Sequence, residues 1–418
     1  VEYLRVLPFA NGLPSWEPAP AAWHGGAGAW PPPSAPATAD QLETYAEEVV
    51  SAGFRSQAAF VDGKIAGGSA LLSLQLTVPG LRQIPMGGVT STGVVATHRR
   101  RGLLRAMMAA MFADARDHGE SVLGLSASEG SIYGRFGFSP ATLRARWELE
   151  RTQAEFLQAS PHEGALELVS ADVARNAWPA LHEQARRHRV GEVSAQSGRW
   201  ASLGDDPDGT DGPVRIVIHR DADGVIDGIA NYRLPWSADE SEVGTLVVEA
   251  FEATSVAAYS AIWRLLSDFD LTRRVVAAGR PFDEPLRWML RNPRALRVTR
   301  SSDNLWIRVL DVGAALRART YGTDGVLTLA IAADAMCPEN TGVWRLEACD
   351  GGADCGRADM ADPDVTMDIS ALGSLYLGGA SPGTLAAAGR ITQHRAGAVP
   401  LLARLFPSDP APFNSIGF

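Results

Sequence analysis

Val95-Ala-Thr-His-Arg-Arg-Arg-Gly-Leu-Leu-Arg105 sets a β-branched approach, four arginines (Arg99, Arg100, Arg101 and Arg105) and a single glycine, Gly102, side by side. Behind it, residues 86–96 are rich in Val, Thr and Gly and read as a strand. Ahead of it, Leu103, Leu104, Met107, Met108, Met111 and Phe112 recur at helical spacing, which predicts a helix ending at Gly119. A glycine turn entering a helix exposes unpaired N–H groups and a partial positive charge, a site suited to anions. Four guanidinium groups around it suit an anion with two phosphates. Taken alone, the same run would serve equally well as a solvated basic surface, so its surroundings decide.

Working outward, residues 56–61 and 65–77 are strand-like and joined by Asp62-Gly63-Lys64, a hairpin turn. Downstream, 122–127 reads as a strand and 128–135 as a short helix containing Tyr133. Residues 142–150 alternate Leu143, Ala145, Trp147 and Leu149 with Arg144, Arg146 and Glu148, and are expected to close an N-terminal domain, 1–150, as a strand. Before the hairpin, 40–53 has a helical pattern and 14–38 is a loop dense in Pro, Gly, Ala and Trp. Its Trp16, Trp23 and Trp30 fit the covering of a core better than a cation site.

Residues 151–299 repeat this order: strands over 214–219, 226–234 and 244–251, then a helix over 255–269, which suggests an internal duplication. The turn that holds arginines in the first copy holds Glu249 and Glu252 in the second. Carboxylates there repel phosphate, so the second copy is expected to be degenerate and to hold no cofactor. From 300 to 418 the pattern changes to an apolar strand at Asp303-Asn-Leu-Trp-Ile-Arg-Val-Leu-Asp311, followed by a helix and further strands, a third, α+β domain.

At 418 residues the chain calls for two or three domains. A net charge of −10 disfavours nucleic acid as a partner and suits a small cationic substrate. Apolar stretches fall short of the roughly 18 residues of a membrane span, and no signal segment opens the sequence, so a cytoplasmic protein without a membrane partner is expected. Cys337, Cys349 and Cys355 lack paired spacing and nearby His, which points to free thiols and no metal.

Strand, arginine turn, helix, strand and Tyr133-Gly-Arg-Phe-Gly-Phe138 together resemble the Gcn5-related N-acetyltransferase (GNAT) fold, with Arg99-x-x-Gly102-x-Leu104 similar to its pyrophosphate motif. Leu104 departs from that motif's final small residue. With Ala127-Ser-Glu-Gly-Ser-Ile-Tyr-Gly-Arg-Phe-Gly-Phe138, the degenerate second copy, Ala371-Leu-Gly-Ser-Leu-Tyr-Leu-Gly-Gly379 and Ala388-Gly-Arg-Ile391, nearly the whole chain resembles the enhanced intracellular survival (Eis) family. The resemblance implies an α/β (α+β) chain of two tandem GNAT-fold domains and a sterol-carrier-protein-like domain, assembled as a homohexamer. It implies acetyl transfer from acetyl-CoA to amines of small cationic molecules, typically aminoglycosides. It also implies a cofactor site in which Thr92, Gly93, Val94 and Val95 pair with the pantetheine arm by their main chain. Arg99, Arg100, Arg101, Gly102, Leu103, Leu104 and Arg105 would surround the diphosphate, and Ser128 and Glu129 would end the neighbouring strand. Tyr133 is implied as general acid toward the thiolate and the carboxylate of Phe418 as general base.

An amine of pKa about 10 needs an acceptor for its proton, and an α-carboxylate of pKa about 3.5 serves only if burial raises it. A tyrosine, with pKa about 10, is a weaker acid than a thiol at about 8.5, so stabilising the thiolate by a hydrogen bond is its larger contribution. Tyr133 beside Ile132, Phe136 and Phe138 also fits a packed aromatic, and a chain end such as Phe418 ordinarily frays. Acetylation of a protein lysine or N-terminal amine uses the same groups. A lipid-binding protein would rest on the C-terminal domain alone and would need neither the arginine turn nor Tyr133.

Overall fold

The computed structural model describes residues 5–8, 53–158, 164–196, 198–201, 203–204, 212–234, 244–358 and 361–418. Almost all of the loop and helix expected over 14–53, with Trp16, Trp23 and Trp30, therefore lies outside the described residues. In chain order come β1 (Arg5–Pro8), β2 (Phe54–Val61), β3 (Lys64–Val78), β4 (Arg82–Val94), helix α1 (Leu103–Asp117), β5 (Val122–Ser126), α2 (Gly130–Tyr133) and β6 (Ser139–Pro140). There follow β7 (Leu143–Glu150), β8 (Ala165–Val169), α3 (Ala171–Arg186), β9 (Arg215–Arg220), β10 (Ile226–Arg233), β11 (Thr245–Ala253), α4 (Val256–Leu266), β12 (Arg274–Arg280), α5 (Leu286–Met289) and β13 (Leu296–Asp303). The last part gives β14 (Leu305–Val309), α6 (Val312–Ala318), β15 (Gly325–Ile331), β16 (Gly342–Cys349), β17 (Gly352–Arg357), β18 (Val365–Met367), α7 (Ile369–Tyr376), α8 (Pro382–Ala387), β19 (Ile391–Gln393) and α9 (Ala398–Leu405).

Two compact units result, one of 1–142 with 304–418 and one of 143–303. The first holds a sheet of order β1-β2-β3-β4-β5-β14-β6 and a smaller one of order β17-β16-β15-β18-β19. α1 buries Leu103, Met107, Met108, Met111 and Phe112 of the expected stripe, with Ala115 besides and Leu104 half-buried, against Leu71, Val89, Leu123 and Leu125 of the sheet. Each such Leu, Met or Phe side chain, fully buried, is worth about 1.5–3 kcal/mol.

The strand expected to close the N-terminal domain does not do so. β7 pairs with β12 and β13 in the second unit, where Ala145, Trp147 and Leu149 are buried and Leu143, at the strand end, is exposed. Its place beside β5 is taken by β14, read from the sequence as the opening of the third domain, which runs antiparallel from Leu305↔Ser126 to Val309↔Val122. All five residues of β14 are buried, four of them apolar, as a strand covered on both faces requires. Arg308 within it is fully buried and paired through one nitrogen with both oxygens of Asp334, at 2.6 and 2.7 Å. α7 is buried on every face and packs on β14, with Gly373 so close to the Ile307 carbonyl that a Cβ would come within 2.5 Å of it. The Ser374 hydroxyl meets that of Ser139 at 2.6 Å. The C-terminal segment thus completes the N-terminal sheet as well as forming its own.

The second unit holds the sheet β13-β7-β12-β11-β10-β9-β8. Its run β9-β10-β11-α4-β12 matches β2-β3-β4-α1-β5 element for element, and the strand before each helix carries an extra residue relative to its neighbour. In β4 the pairing jumps from Ala70↔Thr90 to Gly68↔Gly93, with Ser91 at φ +48°; in β11 it jumps from Tyr232↔Val248 to Asn231↔Ala250. Among the described residues no helix is long and apolar enough to cross a membrane. The three cysteines are free thiols, with Cys337 and Cys355 buried and, through that burial, pushed up to about 11 and about 12.

Candidate active site

The parallel strands β4 and β5 pair at only two rows, Gly87↔Leu123 and Gly88↔Gly124, and then part. Toward their C-terminal ends, the side of β4 that faces β5 therefore keeps free main-chain donors and acceptors, while its other side stays paired to β3 as far as Val94↔Gly67. No hydrogen bond among the described residues crosses the gap. Thr92, Gly93 and Val94 lie along this open edge, where an extended amide chain can add as a further strand, whereas the Val95 amide is turned to β3 and donates to the Ala66 carbonyl at 2.9 Å.

At the mouth of the gap, the turn holds Arg100 at φ +63° and Gly102 at φ +85°. Gly102 has open space where a Cβ would stand, so the backbone angle rather than packing calls for glycine. Arg100 occupies a left-handed conformation that costs an ordinary residue about 1–2 kcal/mol, strain of the kind found at binding sites. α1 begins without a side-chain cap, its first internal bond running from the Ala106 amide to the Gly102 carbonyl, 3.0 Å. The amides of Leu103, Leu104 and Arg105 are left at its open end. Arg99, Arg100, Arg101 and Arg105 are exposed, and none has a carboxylate partner among the described residues. Leu104, the departure from the motif, is half-buried against the core, so its bulk points away from the turn.

β5 leads to Ser128 and Glu129, both exposed, and Glu129 precedes α2. Tyr133 ends α2, half-buried and edge-on to Phe138 with ring centroids 6.2 Å apart. Burial pushes the Tyr133 hydroxyl above its ordinary pKa; the Ser128 side chain draws it back and the Glu129 charge adds to the rise. The hydroxyl therefore keeps its proton at neutral pH. Ser128, expected beside the cofactor, is a neighbour of the Tyr133 hydroxyl. A Cβ on Gly130 would stand 3.8 Å from the ring of Trp306, so the inserted strand forms a floor under α2.

Phe418 comes back to the same place from the far end of the chain. A Cβ on Gly88 would be 3.0 Å from its ring, which sets the terminus on the last row before β4 and β5 part. Pro412, Phe413, Asn414 and Ile416 are buried behind it. Sequence reading missed Gly88, Trp306, Asn304 and Asn414; a Cβ on Gly88 would meet Leu74 at 2.7 Å and the Phe418 ring at 3.0 Å, and no local pattern marks the position.

The second copy differs at each of these points. α4 is capped by Ser255, whose Oγ accepts from the Ala258 amide at 3.0 Å and donates to Asp227 at 2.5 Å, so an anionic group already stands at its N-terminus. β11 and β12 part after Val248↔Ala277. Three residues further on, Arg280 bridges the gap, donating to the Phe251 carbonyl at 2.9 Å while paired with Glu284. Glu249 is held by Arg233 and Asn231, and Glu252 by Trp178 and His182.

His182 faces two acceptors, Glu252 from Nδ1 and the Val193 carbonyl from Nε2, both at 2.9 Å. Only the imidazolium donates from both nitrogens. Burial opposes that charge, but Glu252 and Glu192 outweigh it and the pKa is raised. A raised folded-state value means the stabilisation is complete below the unfolded pKa of about 6.5 and is lost as pH rises through the folded one. The chain's melting temperature should accordingly fall as pH rises from about 6.5. His182→Gln should flatten that slope, and an unchanged slope would contradict the pairing.

Against this geometry the comparisons decide the family. Models of an acetyltransferase (GNAT) domain match residues 27–141 and 191–309, and a sterol carrier protein domain model matches 312–415. An uncharacterized N-acetyltransferase of Streptomyces coelicolor is 36% identical over 84% of this chain and 86% of its own length. N-acetyltransferase Eis of Mycobacterium tuberculosis is 33% identical over 83% and 84% respectively. The crystal structure of Eis1 from Mycobacterium abscessus superposes with a TM-score of 0.78 at 33% identity, covering 87% of this chain and 90% of that one. The chain belongs to the Eis family of GNAT N-acetyltransferases. A GCN5-related N-acetyltransferase from Anabaena variabilis, with a TM-score of 0.76 at 19% identity over 91% of this chain and 94% of that one, shares the fold. As an Eis-family acetyltransferase, the chain joins two GNAT domains to a sterol-carrier-like one, and enzymes of the GNAT type use acetyl-CoA as donor.

Proposed function

We propose that this Eis-family enzyme transfers acetyl from acetyl-CoA to an amine of a small cationic molecule, an aminoglycoside in particular, at one site in the N-terminal GNAT domain. The observation that carries the reading is the pairing of an uncapped helix end and four arginines, without a carboxylate partner among the described residues, with an open strand edge. The helix end and arginines fit a diphosphate and the edge fits an amide chain. The central copy, with its helix capped and its gap bridged by Arg280, takes no donor. The cationic class is supported by Glu129, by the terminal carboxylate and by the net charge of −10. A homohexamer is what the family resemblance implies, and a cytoplasmic location is the expectation from the sequence's short apolar runs.

In this reading Arg99, Arg100, Arg101 and Arg105, with the α1 amides, hold the diphosphate, and the β4 edge from Thr92 to Val94 takes the pantetheine amides. The Phe418 carboxylate accepts a proton from the substrate ammonium. The freed amine nitrogen bonds to the acetyl carbonyl carbon as the carbon–sulfur bond breaks; the Tyr133 hydroxyl gives its proton to the departing sulfur, and the second proton that the nitrogen sheds in becoming an amide restores the hydroxyl. Ser128 holds that hydroxyl in place.

Mass spectrometry of aminoglycosides, polyamines and lysine peptides after incubation with enzyme and acetyl-CoA tests the substrate class. Added acetyl groups on aminoglycosides are expected. Modification confined to peptides would move the assignment to protein acetylation. A melting temperature raised by a fatty acyl probe and not by acetyl-CoA would move it to lipid binding.

A further inference from the structure

A chain end is held only by what it packs against and bonds to, and apolar packing alone does not fix where along its groove a tail sits. Between the apolar anchors Phe413 and Ile416 lies Asn414, only 3% exposed. Its Nδ2 donates to the Ile416 carbonyl at 2.6 Å, and its own carbonyl accepts from Nδ2 of Asn304 at 2.5 Å. Asn304 is itself 6% exposed. Its amide donates to the Thr142 carbonyl at 3.1 Å, and the next amide, of Leu305, donates to the Thr142 hydroxyl at 2.9 Å. Directional bonds therefore run without a break from the loop after β6, through the start of β14, to Ile416, two residues before the terminal carboxylate. Two primary amides buried in an apolar anchor are costly unless their bonds are made, and those bonds fix register where packing does not.

We infer that Asn304 and Asn414 are positioning residues that set the depth of the Phe418 carboxylate in the gap between β4 and β5. The inference rests on the reading of that carboxylate as the base. Neither residue touches the arginine turn, so both act on turnover and not on donor binding.

Asn414→Asp keeps the side chain's size and removes its donor, and Asn304→Ser withdraws the amide that reaches Asn414. Each should lower kcat by about tenfold or more with KM for acetyl-CoA changed by less than about twofold. The same Asn414→Asp change should be made in a chain extended by a few Gly and Ser residues, where the terminal carboxylate has already become an amide. There it should alter kcat by less than about twofold, because the group it positions is gone. Undiminished kcat in both single variants overturns the inference. So does an equal loss in the extended background, which would mean that Asn414 acts on something other than the carboxylate. Full activity of the extended chain with native asparagines would instead refute the base itself. Should Asn414→Asp lose its cooperative melt, Asn304→Ser is compared in both backgrounds and read by the same criteria.

Discussion

Replacing Tyr133 with Phe lowers kcat by about 10²–10⁴-fold, the loss typical of a missing acid catalyst, and leaves the melting temperature almost unchanged. The two effects separate because the ring's edge-on contact with Phe138 survives the substitution while the hydroxyl does not. Burial holds the hydroxyl's pKa above its ordinary value, so it is protonated throughout the neutral range and has a proton to donate there. The alkaline limb of kcat owed to Tyr133 is accordingly expected above pH of about 10. Steady-state kinetics on native and variant enzyme measure both quantities, and near-normal turnover in Tyr133→Phe would return the residue to packing alone.

The second large effect is expected at the other end of the chain. Appending Gly and Ser residues after Phe418 keeps its ring on Gly88 but makes its carboxylate a neutral amide; deleting Phe418 moves the carboxylate back by one residue. Both changes should remove most turnover, on the order of the 10²-fold or more attached to a lost general base, while acetyl-CoA still binds. Three prolines, Pro407, Pro410 and Pro412, lessen the entropy that the tail gives up on docking, and buried Phe413 and Ile416 anchor it. Full activity in the extended chain would make Phe418 a hydrophobic plug and move the search for a base to Glu129 or to a chain of waters.

The arginine turn was legible because its signals are local. Gly102, the charges around it and the Met-rich helical stripe lie within one short stretch, and α1 starts at Leu103 as that stretch predicts. The hairpin before it and the doubled order of strands and helix in the second copy were legible for the same reason. What the sequence hid is pairing between distant segments. β7 and β14 were both recognisable as strands, yet alternation says only that a strand has a buried face, and nothing in 143–150 or 305–309 says which sheet it enters. The glycine at 88 looks like any strand glycine until a terminal phenylalanine is laid on it. Asn304 and Asn414 are two ordinary polar residues that only the fold brings together. Glu249 and Glu252 were read as repelling phosphate; the structure adds that both are engaged by internal partners and that Arg280 bridges the gap.

Calorimetric titration of the chain with acetyl-CoA tests most directly the claim of one working site in the N-terminal GNAT domain. One molecule should bind per chain, and Arg100→Ala together with Arg101→Ala, both exposed, should weaken that binding by about tenfold or more without altering the melting temperature of the free protein. Two molecules per chain, or undiminished affinity in the double variant, would contradict it.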